Sequence, residues 1–63
     1  MDATETTLTA QIRNDRMTVE DSDGGRWWPT DAGQKVIDAS EDPEGEAIRL
    51  AESHDRRMGE WHQ

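Results

Sequence analysis

Residues 6–20 read TTLTAQIRNDRMTVE. Leu8, Ala10 and Ile12 alternate with Thr7, Thr9, Gln11 and Arg13. Successive side chains of a strand point to opposite faces, so period two with abundant Thr predicts a half-buried strand. Asn14-Asp15 supplies a two-residue turn, because both residues tolerate left-handed backbone angles. Met17 and Val19 then alternate with Arg16, Thr18 and Glu20, which predicts a second strand.

Downstream, Ser22-Asp23-Gly24-Gly25 is the strongest turn signal in the chain, since Gly adopts positive φ freely. Arg26-Trp27-Trp28 follows as a third short strand, which Pro29 ends or marks as an edge. Thr30 then caps a helix over roughly residues 31–40, with Asp31 in its first turn and Ala32, Val36, Ile37 and Ala39 along one apolar side. Gly33 is a cost inside it. Asp42-Pro43 marks a second helix start. Ala47, Ala51, His54, Met58 and Trp61 recur at spacings of 4, 3, 4 and 3, which predicts an amphipathic helix over 43–61. The expected fold is therefore α+β, a three-stranded antiparallel meander followed by two helices. Residues 6–63 form one small domain and residues 1–5 a frayed N-terminus.

Composition narrows the function. The 63 residues hold 15 Asp+Glu against 7 Lys+Arg, a net charge of −8, and no Cys. Unassisted binding to nucleic acid is disfavoured, because Lys and Arg contacts to phosphate dominate that affinity. Anionic lipid surfaces are disfavoured on the same ground. No apolar run is long enough to span a membrane and no signal peptide is recognisable, so a cytoplasmic location is expected. A basic protein partner is the attractive one. Acidity that serves only solubility or a halophilic habit would look the same in composition. The small complement of large apolar residues makes a homodimer or folding on a partner reasonable.

The charge is clustered. Glu20, Asp21 and Asp23 crowd the second predicted turn, and Glu41, Asp42, Glu44 and Glu46 crowd the start of the last helix. Arg26, Trp27 and Trp28 lie between them. Neighbours on a strand face opposite ways, so one Trp enters the core and the other becomes an interface anchor, a role for which Trp and Arg are enriched. These ten residues are the expected partner-binding set. His54, Met58 and Trp61, on the seam of the last helix, are the expected self-association set.

No catalytic residues, metal or cofactor are expected. His54 and His62 stand eight apart, about two turns of one helix and too far for a shared metal with Asp55. No Ser–His pair comes with a pocket, and no Gly-rich phosphate loop is present.

Two resemblances bear on function. Trp27-Trp28-Pro29-Thr30-Asp31-Ala32-Gly33 resembles the wing-to-helix segment of winged-helix regulators, where an aromatic-x-Leu-Thr-x-x-Gly run leaves a hairpin and opens a helix. Pro29 stands in place of the Leu, and the helices such regulators carry before their wing have no room in 25 residues. In size, charge and lack of enzyme motifs, the whole chain is similar to small phage and mobile-element inhibitors such as certain anti-CRISPR proteins. That profile implies a non-enzymatic acidic protein that occludes the nucleic-acid-binding surface of a partner. A small winged-helix-like regulator or an antitoxin-type neutralising protein is the alternative.

Overall fold

Asn14 and Asp15 both take positive φ, 52° and 63°. Two left-handed residues in succession make the tight turn whose twist matches a hairpin. It joins β1 (Leu8–Arg13) to β2 (Arg16–Asp21), paired antiparallel from Leu8 opposite Asp21 to Arg13 opposite Arg16. This computed structural model describes residues 7–62, so the segment 1–5 expected to fray lies outside the described residues.

The second turn is held by Asp21. Its carboxylate accepts the backbone N–H of Asp23 at 3.0 Å and of Gly25 at 2.8 Å. Gly24 sits at φ 95°, where a side chain would strain the backbone. The chain then enters β3 (Arg26–Pro29), with Trp27 opposite Val19.

Thr30 ends β3 and caps α1 (Asp31–Asp38), its hydroxyl accepting the Gly33 N–H at 3.1 Å. Asp42 caps α2 (Pro43–Ser53) in the same way through Gly45, at 3.2 Å, with Pro43 as the first helical residue. Both start signals read from the sequence are where they were expected.

The end of α2 is not. The helix stops at Ser53, His54 turns left-handed at φ 59°, and residues 59–62 form a fourth strand, β4 (Gly59–His62). Among the described residues the sheet therefore has four antiparallel strands in the order β1-β2-β3-β4, not three, and the helix expected over 43–61 is shorter by eight residues. The reason is the vacant edge of β3. Pairing β4 there places Trp61 opposite Trp27 and Gly59 opposite Pro29. Gly59 costs a helix about 1 kcal/mol relative to Ala. In the strand its bare Cα lets the Trp27 indole approach so closely that a Cβ would lie 2.1 Å from a ring carbon.

Both helices pack on one face of the sheet, α2 across β1, β2 and β4, and α1 against β2 and β3. The core between the layers is Val19, Trp27, Ile37, Ala47, Leu50 and Ala51. Strand alternation sends Arg13, Arg16, Thr18, Glu20, Arg26, Trp28, Glu60 and His62 to the other face, which neither helix covers. No helix among the described residues is long and apolar enough to cross a membrane.

Candidate partner-binding surface

The two Trp separate by layer. Trp27 is 1% exposed in the core, and Trp28 is half-buried on the uncovered sheet face. Arg26 lies beside Trp28 on that face. Its guanidinium donates to the Thr18 hydroxyl at 3.1 Å and reaches the Glu20 carboxylate at 3.7 Å. Arg16 is likewise engaged, with Asp31 at 2.8 Å. Two of the three Arg of the sheet face are thus paired within the fold, and Arg13 is in none of the ion pairs formed among the described residues.

The acidic clusters do not meet there. Pro43, at the start of α2, lines a cleft with Ile12, Asp15, Met17 and Asp38, at the β1–β2 turn end of the sheet. Asp21 and Gly25 line a groove with Ala51, Glu52 and Trp61, at the opposite end of α2. Glu46 of the one cluster and Ala51, in the groove beside the other, are five residues of helix apart, about 8 Å. Neither cluster shares a surface with both the other and Trp28.

Several of the expected binding residues work within the fold. Asp21 ties the turn and Asp42 caps α2. Glu20 pairs with Arg26, and Glu46 pairs with Arg49 one helical turn on. Asp23, Glu41 and Glu44 remain exposed. Around the α1–α2 connector, Asp38, Glu41, Asp42 and Glu44 take part in none of the ion pairs formed among the described residues.

Beside that connector lies an apolar stripe assigned differently by the sequence reading. Gly33 and Ile37 face inward, whereas Ala32, Val36 and Ala39 are exposed, Val36 at 39%. Spacings of four and three put these three on one side of α1. The signal was present in the sequence. Val36 and Ile37 are neighbours, about 100° apart on a helix, so with Gly33 and Ile37 centred on the core Val36 falls at the margin of the buried stripe. The connector and the stripe together make a small apolar surface bordered by carboxylates, with Lys35 the cation of α1.

His54, Met58 and Trp61 do not form a helix seam. His54 is exposed at the helix end, Met58 is half-buried against the core, and the Trp61 indole N–H donates to the Ala51 carbonyl at 3.0 Å. The break after Ser53 instead brings His54 and His62 to one groove with Asp21 and Glu52. Even so, no group of three or more potential metal ligands is close enough to hold an ion among the described residues. Asp55 organises the loop before β4. Its carboxylate accepts from the Arg57 side chain at 3.1 and 3.2 Å and from the Arg57 backbone at 3.0 Å, and these bonds hold its pKa below the ordinary 3.8.

The Trp27-to-Gly33 run does leave a strand and open a capped helix, but β1 and β2 precede it where a winged helix would have helices. Arg13, Arg16 and Arg26 do share the sheet face, whereas Lys35 is on α1 in the other layer. Compared with family models, curated proteins and solved structures, the chain matches none.

Proposed function

We propose that this is a non-enzymatic acidic binding protein that docks on, and occludes, a basic region of a partner protein. In this it acts like the small acidic inhibitors that it resembles in size and charge. The observation that carries the reading is the uneven commitment of charge. Two of the three Arg of the sheet face, Arg26 and Arg16, are engaged by Glu20 and Asp31, whereas the carboxylates of the α1–α2 connector lack a cationic partner among the described residues. A net charge of −8 steers such a surface toward a basic one, and like-charged partners are rejected. The exposed Ala32–Val36–Ala39 stripe supplies apolar contact beside the carboxylates. The docking surface is accordingly the outer side of α1 and the connector, and Trp28 with Arg26 is a separate anchor on the sheet face.

The test uses the full chain immobilised beside the double variant Glu41→Lys/Glu44→Lys. A basic protein should be retained from host lysate by the parent at ~0.05 M salt, lost at ~1 M, and lost by the variant at both. Equal retention by parent and variant would show that the connector is not the docking surface. A shift of mixed-sequence DNA at physiological salt would favour the regulator reading instead.

A further inference from the structure

The edge of β1 offers a second surface, independent of the connector. Among the described residues, β1 has β2 on one side and no strand on the other. The turn at Asn14-Asp15 fixes which of its backbone groups face outward. In a hairpin closed by two residues, the flanking pair, here Arg13 and Arg16, exchanges ladder hydrogen bonds, and bonded and non-bonded pairs then alternate. Thr9, Gln11 and Arg13 therefore bond to β2. The Thr18 hydroxyl donating to the Gln11 carbonyl at 2.7 Å agrees with that assignment. Leu8, Ala10 and Ile12 direct their N–H and C=O groups to the open edge.

Edge strands are normally guarded by Pro, Lys, an inward charge or a bulge. Residues 8–13 contain no Pro, Gly or Lys, pair with β2 without a bulge, and carry one charge, on Arg13. Ile12 is 67% exposed, although its alternation puts it on the core side of the sheet.

We infer that β1 pairs antiparallel with β1 of a second copy, about a two-fold axis through Ala10. That register sets Leu8 opposite Ile12 of the second copy, Ala10 opposite Ala10, and Thr9 opposite Gln11. Apolar residues meet apolar ones and polar residues meet polar ones. The residues paired at Leu8, Ala10 and Ile12 are those whose backbone groups face outward, so three pairs exchange two bonds each, six in all. Arg13 falls opposite Thr7 and meets no like charge. Charge points to a second copy meeting at this edge. Two chains of −8 repel over most of their surface, and this strand has no carboxylate. The product is an eight-stranded sheet with the exposed Ile12 side chains covered.

Sedimentation equilibrium of the full chain tests this, at ~10 µM to ~1 mM protein and in low and ~1 M salt. The mass should climb from 7.2 kDa toward twice that value with concentration. Salt should strengthen the dimer by screening repulsion, the reverse of its effect on a basic partner, so failure of either idea can be told from failure of the other. Ala10→Pro removes an outward N–H and leaves the β2 ladder intact, as Pro is tolerated on edges. Ile12→Lys replaces an exposed side chain and tests the same edge without a backbone change. Each should weaken dimerisation at least tenfold. In the parent, the amides of Leu8, Ala10 and Ile12 should gain hydrogen-exchange protection with concentration, and that of Gln11 should not. A chain monomeric at every concentration, or a dimer unaffected by Ile12→Lys, would overturn the inference.

Discussion

Replacing Gly33 by Ala should destabilise the protein, although the same change in an exposed helix is worth about 1 kcal/mol in its favour. Gly33 is buried on the inner side of α1, and a Cβ there would lie 1.8 Å from the Met58 carbonyl oxygen and 2.8 Å from its carbon. Ordinary contact begins near 3.4 Å, so backbone must move. The same carbonyl accepts the Thr30 N–H at 2.9 Å, which ties the helix start to the segment entering β4. Overpacking costs about 1–3 kcal/mol and the strained hydrogen bond about another 1. Against the propensity gain, the net loss is about 1–3 kcal/mol, from a total of roughly 3–9 for a chain of this size. In thermal terms that is roughly 5–20 °C. Urea unfolding followed by Trp fluorescence, with the slope unchanged, is the assay. Gly24→Asn serves as the contrast. Gly24 has open space around it but φ 95°, so Asn should cost less than about 1 kcal/mol there. If Gly33→Ala proved as stable as the parent, the close approach of α1 to Met58 would be wrong.

Three further outcomes follow from the geometry. Thr30→Ala removes both the α1 cap and the hydroxyl donated to the Arg57 carbonyl, and should cost about 1–3 kcal/mol in urea, with Thr30→Ser recovering most of it. Asp15→Gly relieves a left-handed non-Gly residue and makes the turn Asn-Gly, so the urea midpoint should rise, by about 0.5–1 kcal/mol in stability. Asp55 has a depressed folded pKa, so its contribution is present above the ordinary value of 3.8 and is lost as pH falls through the lower folded one. The melting-temperature gap between parent and Asp55→Asn should therefore stay constant above about pH 5 and close in more acid solution.

The local elements were legible because their signals are local. Asn14-Asp15, Asp21 to Gly25, Thr30 and Asp42 each determine a turn or cap through their own backbone preferences or a side-chain bond a few residues away. The opposed facing of Trp27 and Trp28 follows from alternation alone, but which one is buried depends on the helices that cover one face. β4 was not legible. Met58 and Trp61 fit a helical spacing as well as they fit their places here, and only the vacant β3 edge, set by distant residues, decides between them. Gly59 was the overlooked sign. The acidic clusters were read as a binding surface, and Asp21 and Asp42 proved to be bonded within the chain, a distinction invisible in a charge count.

The place of β4 has a kinetic consequence. β1 with β2 closes a loop of two residues, and such hairpins form in about 1–10 µs. β3 with β4 must close the 29 residues from Thr30 to Met58, which include both helices. The chain entropy of that closure has to be met before any contact between the two strands repays it. Trp27 consequently has a lid that arrives last, and the rate of folding should be governed by how readily α1 and α2 shorten the span between the two strands. Substitutions in the first hairpin or the helices, which form before that closure, should then mainly alter the folding rate, and substitutions in β4 mainly the unfolding rate.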